Sequence, residues 1–70
     1  MNELQKTIIQ GVANISKTDC MFCYNMRRTF EINTLCDILK IDRNRYYYLM
    51  RNKQLDRYLL ELKRDVKEEK

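Results

Sequence analysis

Residues 32–51, INTLCDILKIDRNRYYYLMR, constrain the fold more than any other stretch, because their apolar positions suit two short helices joined by a three-residue turn. Leu35 and Leu39 lie four apart and stack on one helical face, with the small Cys36 beside them. Ile41 falls in the turn, where a buried aliphatic side chain plugs the gap between two crossing helices. Asp42 is a good N-cap for the second helix, since its carboxylate accepts the otherwise orphan amide protons of that helix's first turn. Tyr46, Leu49 and Met50 recur at three and four residues and give the second helix an apolar face. Its other face carries Arg43, Asn44, Tyr47, Tyr48 and Arg51. An apolar face that docks, with a cationic, amide-bearing and aromatic face left over, is what reading a DNA major groove requires.

The rest of the chain reads as support. Seventy residues with one Gly and no Pro favour a single domain, 1–70, built of long helices. At this length folding buries only about 60% of the unfolded surface, so a deep enzyme cleft is not expected. Residues 3 to 15 space Leu4, Ile8, Ile9, Val12 and Ile15 mostly at three and four, the pattern of an amphipathic helix that Gly11 weakens. Ser16-Lys17-Thr18-Asp19 has the composition of a break followed by an N-cap. From Cys20 to Arg28 a second helix is expected, with Met21, Phe22, Tyr24 and Met26 available for packing; a short strand is the alternative. Thr29 to Asn33 reads as a connector, with Phe30 and Ile32 turned inward and Asn33 or Thr34 capping the next helix. The helix-turn-helix spans 32–52, Asn52-Lys53-Gln54 is a polar hinge, and a last helix covers 55–67.

That last helix carries Leu55, Leu59, Leu62 and Val66 at a 4-3-4 spacing. Such a stripe either packs onto the body of the domain or pairs with its twin in a second chain, and a homodimer is the preferred expectation. The tail, residues 67–70, is expected to fray. The fold class is therefore all-α: a small four-helix domain containing a helix-turn-helix, with a Leu-striped C-terminal helix.

Charge placement points the same way. Lys40, Arg43, Arg45, Arg51 and Lys53 stand against Asp42 alone, a local surplus of +4 that equals the surplus of the whole chain. A concentration of cations around the second helix is the footprint of phosphate contact. Arg43 suits guanine and Asn44 adenine, while Tyr47 and Tyr48 suit a phosphate or a thymine methyl. Lys40, Arg45 and Lys53 suit phosphates, and Tyr46 belongs to the core. The bland alternative for the same face is a solvated surface of snorkelling side chains, or a face that binds protein.

Other chemistry has little support. One Cys20-x-x-Cys23 without histidine does not complete a four-ligand zinc site in a monomer, so the cysteines read as structural and no metal or cofactor is expected. Glu31 and Asp37 read as ordinary surface carboxylates, and no catalytic residue or enzyme activity is expected. Arg57, Glu61, Arg64 and Asp65 read as helix-surface ion pairs. No apolar run approaches the 18 or so residues of a membrane span, and the N-terminal stretch with Glu3 lacks a signal-peptide core. Three cysteines, an odd number, fit a reducing cytoplasm better than a disulfide framework.

The segment from Phe30 to Lys53 resembles the N-terminal helix-turn-helix of insertion-sequence transposases that carry a separate integrase-type core. Leu35-Cys36, Leu39, Ile41, Asp42, Arg43 and Tyr46-Tyr47 carry the resemblance. Lys40 stands where that pattern usually has Gly, and Asp42 where it usually has Ser. A lysine in the left-handed region costs on the order of 1 kcal/mol. The acidic catalytic core of the transposases has no counterpart here, so the resemblance implies DNA binding without strand transfer. The expected function is thus sequence-specific binding of double-stranded DNA by a regulatory protein of a mobile element (phage, plasmid or transposon), with helix 43–52 in the major groove. The alternative is a small phage-type module that inhibits or recruits a host or defence protein.

Overall fold

A computed structural model of the chain describes the backbone of residues 3–68 and the side chains of residues 3–66. It holds five helices: α1 (Glu3–Ile15), α2 (Asp19–Thr29), α3 (Ile32–Leu39), α4 (Arg43–Arg51) and α5 (Leu55–Glu68). Among the described residues there is no strand, and the helix count is five rather than four. Residues 19–29 take the helical option. The Thr18 hydroxyl accepts the Met21 amide at 3.2 Å, and Arg27 and Arg28 put positive charge at the negative end of the helix dipole. α5 continues through Glu68, so the first two residues of the tail expected to fray are helical, and residues 69 and 70 lie outside the described residues.

Helices α1, α2 and α5 pack on one another as a three-helix body; α3 docks on α2, and α4 on α3 and α5. The core runs through all five, from Ile9 and Val12 through Phe22 and Met26 to Leu35, Leu49 and Leu59. Leu55, Leu59 and Val66 are buried and Leu62 is partly so. The α5 stripe is therefore occupied by the chain's own helices, and it is not the free seam that a homodimer through Leu55, Leu59, Leu62 and Val66 needs. The physical reason is size: a chain this short closes its core only by using the most apolar stripe it has.

Several inward assignments are corrected. Leu4, Ile15, Met21, Tyr24, Ile32 and Met50 are exposed. In α4 the docking face centres on Tyr46 and Leu49, and Met50 sits about 100° round the helix from Leu49, beyond the contact. Neither Asn33 nor Thr34 caps α3. The helix starts earlier, at Ile32, with Glu31 in extended conformation before it and no side-chain cap.

Both short helices end in the same way. Lys40 adopts φ 58° and ψ 45°, and its amide donates to the Asp37 carbonyl while the Ile41 amide donates to Cys36 at 3.0 Å. Lys53 adopts φ 56°, with its amide on Met50 at 3.1 Å and the Gln54 amide on Leu49 at 2.8 Å. Each is the paired-bond Schellman closure, in which a left-handed residue turns the chain out of the helix. Two side chains pin the first closure from either side. Gln5 of α1 donates to the Asp37 carbonyl at 2.7 Å, and the Tyr58 hydroxyl of α5 to the Leu39 carbonyl at 3.4 Å. Three of the carbonyls that the end of α3 would leave orphaned, those of Cys36, Asp37 and Leu39, thus have partners, and the turn that launches α4 is held from both sides.

Candidate nucleic-acid interface

The outward face of α4 follows from this anchoring. Asp42 Oδ1 accepts the Arg45 amide at 2.7 Å, so the cap read from the sequence forms. Ile41 is half-buried against the core, and Tyr46 and Leu49 hold the helix down. Burial pushes the Tyr46 hydroxyl above its usual pKa, so it stays protonated. The Tyr47 ring stands edge-on to it, with centroids 5.7 Å apart. Turning about 100° per residue, Asn44 and Arg51 lie opposite the docking face, with Tyr47 and Tyr48 beside them. Arg43 lies on one edge of this arc and Arg45 on the other. All six are exposed, as are Lys40 and Lys53 in the flanking turns.

Within this set the side chains differ in freedom. Arg43 reaches back over α3, where Nε donates to Asn33 Oδ1 at 2.8 Å and a terminal nitrogen donates to the same atom. It ties the two helices together, with part of its five-donor fork still unused. The Arg45 guanidinium lies over the Tyr48 ring, 5.6 Å from its centroid. The side chains of Asn44, Arg51, Lys40 and Lys53 have no hydrogen-bond or ion-pair partner among the described residues. Of the eight sequence-assigned residues, Asn44, Tyr47, Tyr48 and Arg51 share the outward arc of α4, while Arg43 is tied to Asn33 of α3, Arg45 lines a cleft with Arg57 and Glu61 of α5, Lys40 a groove with Leu4 and Ile8 of α1, and Lys53 a cleft with Arg27 of α2.

Sequence reasoning missed two neighbours. Asn33 orients Arg43, and nothing in a spacing pattern links positions ten apart across a turn. Arg27 ends α2 beside the C-terminal end of α4, where it lines a cleft of about 240 Å³ with Met50, Lys53, Leu55 and Asp56. It is paired with Asp56 at 3.3 Å. The two adjacent arginines in the last turn of α2 were the available signal.

The cysteines do not converge on a site. Cys20 is exposed while Cys23 and Cys36 are buried. Burial, reinforced by the nearby Asp56 carboxylate, pushes the Cys23 thiol up to about 11, so it remains a neutral S–H donor, 3.5 Å from the Asp56 carbonyl. Among the described residues no three His, Cys, Asp or Glu side chains gather as metal ligands would, and no helix is long and apolar enough to cross a membrane. No known protein family, curated protein or solved structure matches this chain.

Proposed function

We propose that this chain binds double-stranded DNA, with α3 and α4 acting as a helix-turn-helix and α4 as the recognition helix. The observation that carries the reading is the outward arc of α4. Asn44 and Arg51 stand at its centre with no side-chain partner among the described residues, Tyr47 and Tyr48 flank them, and an exposed lysine closes the turn at each end. Both lysines occupy a left-handed backbone that costs a side chain about 1–2 kcal/mol, where glycine would be free of strain. Positive charge at both ends of one short helix suits the two phosphate walls of a groove. In this reading Asn44 and Arg51 meet base edges, while Lys40, Arg45 and Lys53 meet phosphates. Arg43 sets the angle of α4 and offers its remaining donors, and the two tyrosines press on sugar, phosphate or thymine methyl. A non-catalytic regulator of a mobile element, working in the reducing cytoplasm, is the matching role; it rests on the transposase-like motif and the free cysteines.

Fluorescence anisotropy with a pool of random duplexes tests this. The apparent association constant should fall with salt at a log–log slope of about −0.9 per phosphate engaged. Lys53→Ala should weaken all duplexes alike and flatten that slope by about one. Arg51→Ala should relax sequence preference at one position. Absence of binding at low salt ends the proposal.

A second reading has one observation behind it. Tyr47, Tyr48 and Met50 are exposed together on α4, and aromatic, Met and Arg side chains are typical anchors of protein interfaces. Stoichiometric capture of one host or defence protein through this face, without duplex affinity, would favour it.

A further inference from the structure

The most exposed large apolar side chains of the described residues are both on α1: Leu4 at 68% and Ile15 at 76%. They are not scattered. Leu4, Ile8, Gly11 and Ile15 follow a 4-3-4 spacing and fall within an arc of about 60° on the helix, beside the buried row of Gln5, Ile9 and Val12. Ile8 is half-buried and Gly11 is exposed. A side chain at Gly11 would meet nothing within 4 Å, so the glycine leaves a notch in an otherwise bulky row. The core does not require that notch.

We propose that this seam of α1 is a dimer face, and that its occupant is the same seam of a second copy, packed antiparallel about a two-fold axis. The seam is complementary to itself in that register alone. Antiparallel pairing sets residues whose numbers sum to 19 against one another. Leu4 then meets the partner's Ile15, and Ile8 fills the notch over the partner's Gly11. A parallel pair would instead stack Ile8 on the partner's Ile8 and leave the two glycines facing across a void. Charge favours the same register. Glu3 opens α1 and Lys17 lies just past its end, so antiparallel helices bring acid near base at both ends, whereas parallel ones set Glu3 beside the partner's Glu3.

Size sets the strength. The eleven residue steps from Leu4 to Ile15 give a seam about 16 Å long. It continues into an open groove of about 550 Å³ between α1 and the α3–α4 turn, lined in part by Leu4, Ile8, Thr34, Ile38 and Ile41. A stable complex takes about 800 Å² from each partner, more than a four-residue seam provides. The dimer is therefore reversible and concentration-dependent. It does not depend on α4 meeting DNA, and its test uses the protein alone.

Sedimentation equilibrium on the full chain should show a mass rising from 8.6 kDa toward twice that value between micromolar and millimolar concentration. Gly11→Gln should weaken association by roughly tenfold or more. Its helicity and melting temperature should match or exceed the parent's, because glutamine is the better helix former. The register is read by cross-linking in a Cys20→Ser background. A mixture of Leu4→Cys and Ile15→Cys chains, treated with diamide as the two-electron oxidant, should form the mixed disulfide in preference to either self-pair. A mass fixed at 8.6 kDa throughout overturns the proposal. So does undiminished association of Gly11→Gln, or Leu4→Cys linking to itself as readily as to Ile15→Cys. Adsorption to lipid vesicles without self-association would also overturn it.

Discussion

Lys40→Gly and Lys40→Ala, compared with each other, isolate the conformation of the turn that aims α4. Both variants lose the lysine charge, and with it the few tenths of a kcal/mol that a cation contributes at a helix C-terminus. They differ only in the Cβ. At φ 58° and ψ 45° a Cβ crowds the following carbonyl, at a cost of about 1–2 kcal/mol. Glycine removes that cost but gives up roughly 0.5–1 kcal/mol through its larger unfolded-state freedom. Lys40→Gly should therefore exceed Lys40→Ala by roughly 0.7 kcal/mol, which for a domain of this size is about 3–6 °C in Tm. Urea unfolding followed by far-UV circular dichroism measures the difference, with equal m-values showing that both variants unfold over the same surface. An advantage for alanine would refute a left-handed closure at residue 40. The proposed reading of α3 and α4 as a helix-turn-helix, which rests on that closure, would fall as well.

Burial, capping and titration give further expected outcomes. Leu59→Ala, at a position with no exposure, should cost about 2–5 kcal/mol, whereas Leu4→Ala should change monomer stability by less than about 0.5 kcal/mol; thermal melts at low concentration check both. Asp42→Ala removes the Oδ1 bond to the Arg45 amide and should cost about 1 kcal/mol in urea unfolding. The Cys23 thiol ionises near 9 when unfolded and near 11 when folded, so the unfolded chain releases its proton first as pH rises. The stabilisation from this group is complete below about pH 9 and is lost toward pH 11, by at most about 2–3 kcal/mol. The Cys23→Ala variant should lack that decline, which separates it from tyrosine titration in the same range.

How far the sequence speaks for the fold depends on how local each determinant is. The Asp42 cap, the three-residue turn and the burial of Leu35, Leu39, Tyr46 and Leu49 depend on residues within one turn of each other, and periodicity exposes them. The outward placement of Asn44, Tyr47, Tyr48 and Arg51 is legible once those anchors are known. Leu4 and Ile15 share the apolar periodicity of α1, yet they face away from the core. Periodicity marks an apolar stripe but not its width, and α1 carries two adjacent rows of which the body covers one. The α5 stripe illustrates the reverse difficulty: a 4-3-4 row reads alike whether its partner is in the same chain or another. Long-range ties such as Gln5 to Asp37, Arg43 to Asn33 and Tyr58 to Leu39 depend on the packed arrangement, and local spacing contains no trace of them.

Two-dimensional amide NMR of the labelled chain, titrated with duplex DNA at low salt, tests the DNA-binding account most directly. Perturbed resonances should cluster at residues 40–53, strongest at Asn44, Tyr47, Tyr48 and Arg51, and return to their free positions as salt is raised. Unmoved resonances across 40–53, or perturbation centred on another helix, would contradict it.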